Sequence, residues 1–206
     1  MSTQTRHPFY WVPNFMTLSR IAVIPVLMWC ILAVGRSAES LMNTPVLLIL
    51  LFIYCGITDF LDGFLARRWN LVSNFGRMLD PIADKLLVAG CLIALNIAFG
   101  PNPILLIPSI IIIFRDIFIS GTREHAAGAG IILPPTKLAK WKTSTEILAI
   151  LLFLVGIGIK SLHSADANLQ KLAVFGNTGG LAVLWIAALL SAYTGLHYVK
   201  AAFAKT

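Results

Sequence analysis

Residues 45–68 read PVLLILLFIYCGITDFLDGFLARR: fourteen residues without a charge, then two aspartates three apart, Asp59 and Asp62, and a closing pair of arginines. About 20 mostly apolar residues in a helix cross the hydrocarbon core of a bilayer. A helix can do this because it satisfies its own backbone where no water can. The acidic end is the unusual part. An ionised side chain at membrane depth costs at least about 2.5–3.5 kcal/mol on insertion scales and marks a functional position by default.

Stretches of the same kind lie on both sides. They run from Pro13 to Gly35, Asn74 to Phe99, Ile104 to His125, from beyond Pro134-Pro135 to Ile159, and from Leu172 to Phe203, separated by short segments rich in Gly, Pro and Asn. The apolar part of the first, Ile21–Gly35, also has the look of a leader core. It lacks an A-x-A pattern behind it, however, and Asn14, Thr17 and Arg20 recur on one helical face, which favours a span. The expected fold is all-α: a polytopic bundle of six transmembrane helices forming one domain over residues 1–206.

The composition of the 206 residues agrees. Hydrophobic residues make up 58% and charged ones 12%, with a mean hydropathy of +0.84, against about 25% charged in soluble domains. A water-soluble globule, a disordered chain and a collagen-like repeat are excluded. Cys30, Cys55 and Cys91 sit singly in apolar runs, so neither a disulfide framework nor a zinc site is indicated. The net charge of +7 would suggest nucleic acid in a soluble protein; here it reflects the cation bias of the cytoplasmic face, and a lipid bilayer is the expected partner. With six spans both termini share a side. Thirteen of the 16 Lys and Arg fall there, and only Arg36, Lys160 and Lys171 opposite. The termini are expected to be cytoplasmic, in a bacterial-type cytoplasmic (inner) membrane, with the site facing the cytoplasm.

The second acidic pair lies near the start of the third span. Asp80 and Asp84 are four apart, as Asp59 and Asp62 are three apart, so each pair projects from one helical face. A short loop joins the two helices and lets the pairs face each other. Four carboxylates this close repel one another unless a strong counter-charge holds them ionised. All-oxygen ligation selects Mg²⁺ or Mn²⁺, and two such ions suit phosphoryl transfer. Gly63 and Ala66 share the first acidic face and Gly76 the second; small residues there admit a ligand, though they also serve helix packing. Arg67 can reach a phosphate. Taken singly, an intramembrane aspartate fits a cation-coupled transporter equally well.

Read together, residues 59–84 give D-x2-D-G-x2-A-R-x8-G-x3-D-x3-D. This resembles, position for position, the signature of the CDP-alcohol phosphatidyltransferase family. The resemblance implies an enzyme that displaces CMP from a CDP-linked lipid with the hydroxyl of a second alcohol. It implies that Asp59, Asp62, Asp80 and Asp84 hold the metals, that Asp84 is also the general base, and that Gly63, Ala66, Arg67 and Gly76 line the pocket of the CDP-lipid. A homodimer is a further implication.

The acceptor is read from the second half. Arg115 and Arg123 near the end of the fourth span, with Lys137, Lys140 and Lys142 opening the fifth, suit an acceptor carrying its own phosphate, although positive-inside anchoring also places cations here. Arg115 needs a partner at this depth, and Asp116 is expected to face about 100° away from it. The runs Arg115-Asp116, Ser120-Gly121-Thr122-Arg123-Glu124 and Lys140-Trp141-Lys142-Thr143, with Asn14-x2-Thr17-x2-Arg20, resemble the phosphatidylglycerophosphate-forming branch of that family. That implies CDP-diacylglycerol as donor and sn-glycerol 3-phosphate as acceptor in phospholipid biosynthesis. It also places Asn14, Thr17 and Arg20 with the CDP-lipid, and Arg115, Arg123, Lys140 and Lys142 on the acceptor phosphate. Inositol phosphate, serine or phosphatidylglycerol are the alternative acceptors; an uncharged one leaves Arg115 and Arg123 without an anion.

Overall fold

The computed structural model describes residues 11–36, 44–68, 74–128, 137–161 and 166–203. They form six helices: α1 (Val12–Arg36), α2 (Thr44–Arg68), α3 (Asn74–Phe99), α4 (Pro103–Gly128), α5 (Lys137–Ser161) and α6 (Ala167–Phe203). Each is long and apolar enough to cross a membrane. The α2 and α3 boundaries match the sequence reading to within a residue. The sixth helix begins five residues earlier than expected, because Asp166 caps it: its Oδ1 accepts from Asn168 N at 2.8 Å and its carbonyl from Gln170 N at 3.1 Å. Asn102 does the same for α4, with its Oδ1 3.0 Å from Ile104 N, and Pro103 takes the first helical position, where its missing N–H costs nothing.

The bundle is ordered by what fits between the helices. α5 packs most extensively on α6, α1 on α3 and α2, and α4 on α6. The α5–α6 approach depends on small residues: a Cβ on Gly176 would lie 3.0 Å from Gly156 Cα. Leu27 and Ile31 of α1, Leu48 of α2, Leu92 and Leu95 of α3, Ile112 of α4, Ile150 and Leu154 of α5 and Leu184 of α6 are buried in one core. The outward faces are apolar as well, with Phe114, Phe175 and Leu189 exposed, as expected where the surrounding solvent is lipid. The three cysteines are buried and free. Trp11 and Trp141 are exposed near helix ends, where amphipathic rings settle in the interface.

Contacts between α2 and α3 themselves are sparse, whereas α1 packs on both. α1 therefore bridges the two acidic pairs, and Asp59 of α2 also meets Asp84 of α3 directly through their side chains.

Candidate active site

The acidic residues of the helices, with most of the basic ones, lie at one end of the bundle, the end holding the start of α1 and the end of α6. Among the described residues they form two adjoining clusters. The first is acidic. From α1, Arg20 reaches Asp59 Oδ1 through Nη1 at 2.5 Å, Asp84 Oδ1 through the same nitrogen at 3.1 Å, and Asp62 Oδ2 through Nη2. One helical turn earlier, the Thr17 hydroxyl is shared between Asp80 Oδ1 at 2.8 Å and Asp62 Oδ2 at 3.3 Å. Arg20 and Thr17 are buried with Asp62 at the floor; the Asp59 and Asp84 side chains are 49% and 53% exposed and form the mouth. An i, i+3 pair on α1 thus bridges both signature pairs, and all four aspartates share one site as their spacing predicts.

The charges do not balance. One guanidinium faces four carboxylates, leaving three negative charges when all are ionised, at a depth where like charges are poorly screened. No three of these acids are drawn together as the shell of a single ion among the described residues; Arg20 pairs with three of the four. The donor chemistry nevertheless fits a hard divalent cation: every ligand is a carboxylate oxygen, the excess charge is negative, and two of the four side chains are open to solvent. Gly76 is buried and Gly63 half-buried. Asn14 is half-buried one turn before Thr17. The side chains of Ala66 and Arg67 lie outside the described residues.

The second cluster is cationic and lies on α4, α5 and α6. Arg115 Nη1 is 3.0 Å from Asp116 Oδ1, so the expectation that Asp116 faces away from it is corrected: the Cα directions diverge, but the long arginine stem folds back to its neighbour. Lys142 is buried and ion-paired with both Asp116 and Glu146, the latter at 2.8 Å and one turn along α5. Arg115 Nη2 donates to Thr194 Oγ1 of α6 at 2.8 Å. Lys85, directly after Asp84, bonds Ser120 of α4 and lies within electrostatic reach of Asp84, Asp116, Arg123 and Lys142. It links the two clusters. Arg123 is exposed, and the side chains of Lys137 and Lys140 lie outside the described residues.

Sequence reasoning brings Arg115, Arg123 and Lys142 to this end, names Asp116 and Ser120 only within the branch motifs, and gives no site role to Lys85, Glu146 or Thr194. The i, i+4 spacing of Lys142 and Glu146 was a usable signal; for Thr194, more than seventy residues from Arg115, there was none. Arg115, Lys142, Lys85 and Arg123 against Asp116 and Glu146 leave two positive charges, the complement of a phosphate near its dianionic form. An acidic cluster that suits divalent ions, joined by Lys85 to a cationic one that suits a phosphate, can hold a pyrophosphate and a phosphorylated alcohol side by side.

Residues 10–193 match the family model for CDP-alcohol phosphatidyltransferase. The chain is also similar to curated proteins named CDP-diacylglycerol--glycerol-3-phosphate 3-phosphatidyltransferase. One from Rickettsia bellii is 38% identical, over 92% of this chain and 94% of the relative. One from Bacillus subtilis is 37% identical, over 91% and 92%, and one from Cereibacter sphaeroides 34%, over 93% and 95%.

Proposed function

Since the chain belongs to the CDP-alcohol phosphatidyltransferase family, we propose that it is a multi-pass membrane enzyme that transfers the phosphatidyl group of CDP-diacylglycerol to sn-glycerol 3-phosphate, giving phosphatidylglycerophosphate and CMP. The relatives' names support the substrates. The observation that carries the reading is the meeting of the two clusters: a site for an uncharged acceptor has no use for a surplus of two positive charges beside its aspartates.

The acid cluster binds the donor. Asp59, Asp62, Asp80 and Asp84 would hold Mg²⁺ or Mn²⁺, which when bound neutralises the pyrophosphate and the charge gathering on the departing CMP. Thr17 and Arg20 hold the acids in place, and Asn14, Gly63, Ala66, Arg67 and Gly76 form the rest of the CDP-lipid pocket. Arg115, Arg123, Lys140 and Lys142, joined by Lys85, hold the acceptor phosphate. Asp84, half-exposed at the mouth beside Lys85, takes the proton from the acceptor hydroxyl. The hydroxyl oxygen bonds to the phosphorus that carries the diacylglycerol as the anhydride bond to CMP breaks, CMP keeping the bridging oxygen and its electron pair.

The site then faces the cytoplasm in a bacterial-type inner membrane, with both termini on that side. This follows from the cation bias and lets acyl chains stay in the bilayer while soluble substrates reach the mouth. A homodimer rests on family resemblance alone. A cation-coupled transporter is disfavoured by position, because its acids belong near mid-bilayer with access from both sides, whereas these cluster at one end.

The defining experiment is release of labelled CMP from CDP-diacylglycerol by purified protein, run against a panel of acceptors; glycerol 3-phosphate is expected to support it, and serine or phosphatidylglycerol not. Replacing Arg115 with Ala is expected to raise KM for glycerol 3-phosphate by about tenfold or more, the loss of one charge-assisted contact, with KM for CDP-diacylglycerol nearly unchanged. Equal effects on both substrates would separate Arg115 from the acceptor.

A further inference from the structure

We infer that α6 belongs to the acceptor site and that Thr194 and Gly195 are positioning residues that seat Arg115; this rests on the acceptor reading above. Arg115 lies along the α6 backbone. A Cβ on Gly195 would fall 3.0 Å from Arg115 Cγ, 3.7 Å from Nε and 4.0 Å from Cδ. The first distance is closer than side chains ordinarily approach, so a Cβ here requires the arginine stem to shift by a few tenths of an ångström. Gly195 here has an ordinary helical backbone; what it supplies is room.

Thr194 fixes the other end of the side chain. Its Oγ1 lies 2.8 Å from the Leu190 carbonyl and 3.1 Å from that of Ser191. The single hydroxyl proton is therefore spent on its own helix, and the oxygen faces Arg115 Nη2 only as an acceptor, at 2.8 Å. Asp116 takes Nη1 at 3.0 Å. A planar guanidinium held at both terminal nitrogens has its plane set by those two contacts. Arg115 Nε, buried and without a hydrogen-bond partner among the described residues, is held in that fixed plane. Thr194 is buried at 2% exposure, so it acts through Arg115 rather than on substrate.

Small residues on a membrane helix also serve plain packing, and α4 does pack on α6. The two roles differ in what they move. A loosened helix contact lowers turnover for both substrates alike; a displaced Arg115 weakens the acceptor alone.

The test is steady-state kinetics of the full-length enzyme with each substrate varied in turn. Thr194→Val, close in shape but without the acceptor oxygen, is expected to raise KM for glycerol 3-phosphate by about tenfold and leave KM for CDP-diacylglycerol as it was. Thr194→Ser should restore the wild-type value, and Gly195→Ala should shift the same KM in the same direction. In an Arg115→Ala background, Thr194→Val should add nothing, since the group it positions is gone. The inference is overturned if Thr194→Val lowers kcat with both KM values unchanged, or if its effect persists undiminished without Arg115. Should the acceptor panel instead select another alcohol, the substrate assignment fails, and coupling between Thr194 and Arg115 is then read from the KM of that acceptor.

Discussion

Asp84→Asn is expected to lower kcat by about a hundred- to ten-thousand-fold, the range a positioned general base contributes, while CDP-diacylglycerol still binds. The substitution keeps the shape of the side chain and an oxygen that can face Arg20, which is 3.1 Å away in the wild type. It removes the ability to take a proton. Because the Asp84 side chain is half-exposed at the mouth of the cluster, its loss strands no buried charge, and the fold should survive. Equilibrium binding of CDP-diacylglycerol to the detergent-solubilised variant, measured beside its turnover, separates the two effects. An Asn variant that turns over at the wild-type rate would remove Asp84 from the chemistry.

Chelation of divalent ions is expected to stop CMP release altogether, and added Mg²⁺ or Mn²⁺ to restore it. Without them the diphosphate of the donor meets four carboxylates that, among the described residues, are ion-paired to Arg20 and neighboured by Lys85, and the remaining negative charge repels it. The helical circular dichroism signal should not change, since Thr17 and Arg20 already satisfy the buried Asp62 from within the chain. Release of CMP that continues in chelator would overturn the assignment of Asp59, Asp62, Asp80 and Asp84 as metal ligands.

Much of the fold could be read in advance, because the lengths of apolar runs and their Gly and Pro breaks depend only on the neighbouring sequence. The α2 and α3 boundaries follow from this directly. The early start of α6 does not: Ala167–Lys171 is too polar to register as membrane-spanning, and Asp166 extends the helix by capping it. The misjudged contact of Arg115 has a similar origin. Helical angles place Asp116 on another face, but they describe Cα directions and say nothing of how far a flexible arginine can bend.

Periodicity within one helix settles which side chains travel together, and so Asp59 with Asp62, and Asp80 with Asp84, could be paired from their spacing and given a chemistry from their charge. The order in which helices pack could not, because it depends on volumes filled between elements far apart in the chain. Packing put α1 between α2 and α3, so that Thr17 and Arg20 became the link between the acid pairs. Packing also laid Arg115 over Gly195 and against Thr194, two residues that local pattern had no reason to single out.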